Sequence, residues 1–168
     1  MKIGILGGSF DPAHKGHLAI SKEARKRFKL EKIIWAITKK NPLKAESKTP
    51  ISKKIKDCKK IIGLNSFIKV KFYENIIRSN KTIDLINYLK KNKNIEIFFL
   101  MGADNLINFH KWHKSKLISQ KCNIIVFDRH GYKKNSLKSK TFKRLNNKTL
   151  TFVEFKKVNI SSSQLRKI

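Results

Sequence analysis

Acidic residues are scarce in this chain. Asp and Glu together number 11 against 40 Lys and Arg, giving a formal net charge of +29 and a pI near 10.4. Such an excess attracts polyanions and small anions such as nucleotides. Arginine is scarce too: six arginines leave 34 lysines spread along the whole chain. Lys, Asn and Ile share A/T-rich codons, so base bias accounts for this composition, whereas proteins that read nucleic-acid sequence lean on the bidentate guanidinium. A specific nucleic-acid site is therefore not expected. Cysteine is limited to Cys58 and Cys122, far apart and without C-x-x-C spacing. That pattern excludes a zinc site and a disulfide framework and reads as two free thiols in a reducing cytoplasm. No segment approaches the ~20 apolar residues of a membrane helix. The opening Met1 to Leu6 is too short for a signal-peptide core before it meets Gly7-Gly8, so neither membrane insertion nor export is expected.

What remains is enough for a packed core. A chain of 168 residues with 40% hydrophobic content fits one domain spanning 1–168. Lys2 to Leu6 is an apolar run ending at a glycine turn, the pattern of a buried strand. From His17 onward Ile20, Ala24 and Phe28 recur at helical spacing, and Ile33 to Ile37 is a second buried strand. This β-α-β unit argues for a parallel sheet with right-handed crossovers. Further along, the pattern predicts a helix from Ile51 to Ile62 closed by Gly63, a strand over Phe67 to Phe72 and a helix from Thr82. Strands follow over Ile95 to Met101, Asn123 to Phe127 and Thr151 to Phe155, with short helices over Asn105 to Trp112, Lys114 to Gln120 and Ser161 to Lys167. Arg129 to Lys148 is polar and reads as loop. The expected class is α/β: an open, mainly parallel sheet with helices on both faces.

The first strand runs into Gly7-Gly8-Ser9-Phe10-Asp11-Pro12-Ala13-His14-Lys15-Gly16-His17. In open α/β sheets ligands bind at the carboxyl ends of strands, where helix N-termini present free N–H groups to anions. His14 and His17 stand three apart at a helix entrance, so both rings can face one place and hydrogen-bond phosphate oxygens. The same spacing also suits a metal, but zinc needs further ligands, and no metal site is expected.

This string resembles the G-x-F-D-P-x-H-x-G-H signature of the HxGH nucleotidyltransferases, in the form of their nicotinate-nucleotide adenylyltransferase branch. Three more segments are similar to that branch in the same order. They are Thr38 to Lys44, with Asn41-Pro42-Leu43-Lys44; Gly102-Ala103-Asp104-Asn105-Leu106 followed by Phe109 to Trp112; and Ile160-Ser161-Ser162-Ser163-Gln164-Leu165-Arg166. The resemblance implies a Rossmann-like, cytoplasmic enzyme of NAD biosynthesis. It would transfer the adenylyl group of ATP to nicotinate mononucleotide, with Mg2+ bound alongside ATP. Carried over by position, His14, His17, Lys44 and Arg166 become the catalytic phosphate-handling groups. Gly8, Ser9, Phe10, Gly102, Asp104, Ser161, Ser162 and Ser163 become ATP contacts, and Thr82, Trp112 and Arg129 contacts to the mononucleotide. Two departures stand out: Lys81-Thr82 replaces the usual Tyr-Thr, and His130 replaces Pro in the segment usually reading R-P-G-Y. The competing enzyme is a pantetheine-phosphate adenylyltransferase, which usually has Thr at the place of His14 and lacks the G-A-D-x-L…W segment. The competing non-enzyme is a basic nucleic-acid-binding protein on the same scaffold.

Overall fold

Six strands, β1 (Lys2–Gly8), β2 (Lys32–Ile37), β3 (Ile68–Lys71), β4 (Glu96–Gly102), β5 (Asn123–Phe127) and β6 (Leu150–Val153), form one sheet in the order β3-β2-β1-β4-β5-β6. Every neighbouring pair is parallel. The structure is a computed structural model and describes residues 1–39, 48–146 and 148–155. Parallel strands need crossovers, supplied by helices α1 (Lys15–Phe28), α2 (Ile51–Ile62), α3 (Glu74–Ile77), α4 (Thr82–Leu89), α5 (Ala103–Asn108), α6 (Ser115–Lys121), α7 (Lys133–Leu137) and α8 (Lys140–Leu145). A 3-10 turn over Phe109–Lys111 continues α5.

Alternation along the strands divides the core in two. Ile33, Trp35 and Ile37 of β2, with Phe98 and Leu100 of β4, pack on one face against Ala24 of α1 and Cys58 and Ile62 of α2. Ile34, Ala36, Ile97, Phe99 and Met101 point the other way, toward Ile83 and Ile86 of α4, Leu106 of α5 and Ile118 of α6. Helices therefore cover both faces, which is why the central strands are apolar on both. The order is that of the Rossmann-like doubly wound sheet, with its topological switch between β1 and β4.

Two parts of the fold differ from the sequence reading. Helix α3 has no counterpart in it, because four residues are too short for a periodic signal. The stretch read as loop, Arg129 to Lys148, holds α7 and α8. Their apolar content is low, but Ser139 Oγ caps α8 by accepting from the Phe142 amide at 3.1 Å, and Ser136, Thr141 and Leu145 are buried beneath. The helix expected over Ser161 to Lys167 lies outside the described residues.

Candidate active site

The register explains where a ligand can enter. β1 and β4 pair from Lys2 with Glu96 up to Leu6 with Leu100 and then part. Beyond that point Gly7 and Gly8 stay on β2, opposite Ala36 and Ile37, while Met101 and Gly102 stay on β5, opposite Val126 and Phe127. The split opens two adjoining clefts at the carboxyl end of the sheet. One, with about 630 Å3 of space open to solvent, is walled by His14, His17, Gly102, Asp128 and Arg129. The other, with about 700 Å3 of space open to solvent, is walled by Gly8, Thr38, Tyr73, Glu74, Thr82 and Trp112. Gly7, Met101 and Asn105 border both.

In the first cleft the two histidines cap α1 reciprocally. His14 is the N-cap, and its Nδ1 accepts from the Gly16 amide at 3.0 Å; His17 Nδ1 accepts from the His14 amide at 3.1 Å. With both Nδ1 lone pairs used, each neutral ring carries its proton on Nε2, available as a donor. The rings stack at 3.9 Å between centroids, with Phe10 4.5 Å from His17 and Trp35 5.2 Å from Phe10. Trp35 Nε1 donates to Ser21 Oγ, which donates to the His17 carbonyl, tying the cap to the core. Burial and then the Arg129 guanidinium lower the His14 pKa to about 4. Burial, His14 and Arg129 together hold His17 well below the ordinary imidazole value. Both rings are therefore neutral donors at pH 7 until an anion arrives.

Arg129 Nη1 donates to Asp104 Oδ2 at 2.6 Å, joining the ends of β5 and β4. Asp104 Oδ1 is buried and has no hydrogen-bond partner among the described residues. Gly102 has an ordinary extended backbone, φ −80, so its need for glycine is one of space: a Cβ there would lie 2.6 Å from Asp104 Oδ1.

In the second cleft Trp112 stands against Phe109 at 5.1 Å and edge-on to Phe99 at 5.9 Å, leaving part of its surface toward the opening. Thr82 begins α4. Glu74, on the wall between them and β2, accepts from Thr38 Oγ1 and from the Lys39 amide, both at 2.9 Å. Lys54 of α2 is fully buried, and its Nζ donates to the Thr38 carbonyl at 3.3 Å.

Of the expected residues, His14, His17, Gly102 and Arg129 line the first cleft, and Gly8, Thr82 and Trp112 the second. Arg129, expected beside the mononucleotide, is in the histidine cleft because its side chain folds back onto Asp104. Gly8, expected on ATP, borders the Trp112 cleft because it stays with β2. Phe10 is 1% exposed, its ring packed between His17 and Trp35, and it lines neither cleft. Ser9 is half-buried between Gly8 and Phe10. Lys44, Ser161, Ser162, Ser163 and Arg166 lie outside the described residues. Asn105, Thr38, Glu74 and Lys54 escaped the sequence reading. Glu74 had one visible mark, being among only 11 acidic residues.

Comparison with known proteins shows what the chain is similar to. A family model described as cytidylyltransferase-like matches residues 5–168. A Pelagibacter ubique protein named "Probable nicotinate-nucleotide adenylyltransferase" is 68% identical over 167 residues, covering 99% of this chain and 93% of its own. A Bradyrhizobium protein of the same name is 36% identical over 130 residues, covering 77% and 68%. Among solved structures, Plasmodium falciparum nicotinic acid mononucleotide adenylyltransferase complexed with NaAD superposes with a TM-score of 0.77 at 23% identity, over 99% of this chain and 82% of that one. The same protein complexed with APC gives 0.78 at 24% identity, with the same coverage. At these identities the structural likeness speaks for the fold.

Proposed function

The chain belongs to the cytidylyltransferase-like family, among relatives named as nicotinate-nucleotide adenylyltransferases, and we propose that it joins ATP to nicotinate mononucleotide, releasing pyrophosphate and forming deamido-NAD. The observation that carries this reading is the pair of clefts meeting where β1 and β4 part. One offers imidazole and guanidinium donors, the other an aromatic wall and the start of α4. A dinucleotide has that layout, two ring systems joined through phosphates.

The chemistry needs no protein nucleophile. A phosphate oxygen of the mononucleotide attacks the α-phosphorus in line; that P–O bond forms as the bond to the bridging oxygen breaks, and pyrophosphate leaves with the electron pair. The protein positions the reactants and stabilises charge. His14 and His17 donate from Nε2 to phosphate oxygens, and the incoming negative charge raises their proton affinity, opposing the depression seen in the free protein. Lys44, Arg166 and Ser161 to Ser163 supply further phosphate contacts. Asp104, steered by Arg129, offers its unpartnered Oδ1 to a ribose hydroxyl. Trp112 stacks on the pyridine ring.

Among the described residues no group of three His, Cys, Asp or Glu could hold a metal ion. Mg2+ would arrive on the triphosphate, where phosphate oxygens and water supply most of its ligands. Bound there, Mg2+ would neutralise charge on the leaving pyrophosphate. No helix among the described residues is long and apolar enough to cross a membrane. We place the reaction in the cytoplasm, which suits the free thiols of Cys58 and Cys122, both pushed up to about 12 by burial.

Pyrophosphate release from ATP with nicotinate mononucleotide, nicotinamide mononucleotide or phosphopantetheine tests the reading. Turnover with nicotinate mononucleotide is expected. Turnover with phosphopantetheine and none with nicotinate mononucleotide overturns it.

A further inference from the structure

Three residues border both clefts, and they differ in what they can offer a ligand. Gly7 presents only its main chain, and Met101 is a buried thioether on the β4 side of the split. Asn105 alone carries a side chain that can both donate and accept strong hydrogen bonds. It lies on the first turn of α5, whose Ala103 and Leu106 are fully buried in the core beneath, and is itself half-buried. Its carboxamide makes no hydrogen bond within the described structure, whereas its neighbour Asp104 is committed to Arg129. A ligand that fills both clefts must cross this strip, and in the proposed product the part that crosses is the pyrophosphate bridge.

We propose that Asn105 is a further catalytic residue, its Nδ2 donating to a non-bridging oxygen of the α-phosphate as that phosphorus changes partners. The inference rests on the dinucleotide-forming reading above. The bond being formed joins the two halves across the strip that Asn105 borders, and the α-phosphate moves toward the mononucleotide cleft as pyrophosphate leaves. A donor held on a helix at that place meets the shifting charge without having to reorganise. Being uncharged, it also adds nothing to the field that keeps His14 and His17 neutral.

The test compares Asn105→Ala and the isosteric Asn105→Asp with wild type, by turnover and by calorimetric binding of deamido-NAD itself. Removing one preorganised donor should lower kcat by about 100- to 1,000-fold. The KM values for both substrates should change by less than about threefold, since ring and ribose contacts lie elsewhere. Deamido-NAD should bind about tenfold more weakly to Asn105→Ala. It should bind more weakly still to Asn105→Asp, where a carboxylate faces the pyrophosphate; a merely structural side chain would not distinguish the two variants by charge. Wild-type kcat and wild-type deamido-NAD affinity in both variants overturn the role of Asn105 alone. Loss of binding accompanied by a matching loss of thermal stability in both overturns it in favour of a structural role. A wild-type chain that neither turns over nor binds deamido-NAD overturns the functional reading and this inference together.

Discussion

Gly102→Ala is a substitution whose effect follows from one distance. The backbone at Gly102 suits alanine, and losing a glycine from the unfolded chain stabilises by ~0.4–1 kcal/mol. The new Cβ, however, falls 2.6 Å from Asp104 Oδ1 and 3.9 Å from Arg129 Nη1. Asp104 must rotate, at ~0.5–1.5 kcal/mol for an off-rotamer side chain. The rotation weakens a 2.6 Å bond to Arg129 of a kind worth ~1.5–3 kcal/mol. The terms leave a net destabilisation of ~1–3 kcal/mol, which at this chain length lowers Tm by several degrees. ATP binding should suffer more visibly. If Asp104 Oδ1 accepts from a ribose hydroxyl, losing that charged hydrogen bond weakens ATP by roughly 10- to 150-fold. Calorimetric titration with ATP and a thermal melt measure both quantities. The decisive control is the Asp104→Ala background, where the obstructed oxygen is gone. There Gly102→Ala should leave ATP affinity unchanged and be neutral or slightly stabilising. An equal ATP penalty in that background, or wild-type ATP affinity in the single variant, would refute the steric argument.

Three further outcomes are expected. Unfolded histidines take up protons near pH 6.5, while native His14 does so only near 4 and burial holds His17 well below the ordinary imidazole value, so below 6.5 the unfolded state binds more protons. Stability should be insensitive to these rings above pH 6.5 and fall as pH drops from 6.5 toward 4; His14→Asn, which keeps a capping acceptor, should give a shallower fall, and parallel curves would reject this. His17→Ala should cut kcat by roughly 100-fold and also remove the acceptor of the His14 amide, at ~0.5–2 kcal/mol. His17→Gln should recover the Tm but not the kcat, and full recovery of kcat would leave the ring a structural role. Trp112→Ala should raise the KM for the mononucleotide about tenfold or more, since stacking contributes ~1–3 kcal/mol, with ATP little affected. Equal effects on both substrates would make Trp112 a packing residue, and Trp112→Phe, which preserves contact with Phe99 and Phe109, separates the two cases.

The central strands were legible because burial on both faces leaves continuous apolar runs, and β1, β2, β4 and β5 were found within a residue or two of their ends. Helices α1, α2 and α4 showed through their periodicity. Where the reading failed, stability comes from elsewhere. Helix α3 is anchored by its first residue, Glu74, reaching back 36 positions to Thr38, a contact that no window of sequence displays. Helices α7 and α8 rest on a serine cap and a few buried side chains, and the Lys-rich segment around them masks both signals.

The placing of the histidine pair was legible from local geometry: three residues of spacing at a helix start bring both rings together and let each Nδ1 accept a backbone amide. The other groups depend on strand order. Asp104 and Arg129 are 25 residues apart and meet only because β4 and β5 are neighbours in register, with Gly102 opposite Phe127. Knowing only that both residues suit a nucleotide, one assigns them to different halves of a ligand; the register pairs them, with the guanidinium holding the carboxylate and adding to the burial that keeps two imidazoles neutral. The same register parts β1 from β4 after Leu6 and Leu100, and this parting turns Asn105 from an interior letter of a motif into a polar side chain that borders both clefts. Local patterns thus identify the groups gathered at a helix end, and the strand order decides which cleft each remaining group borders.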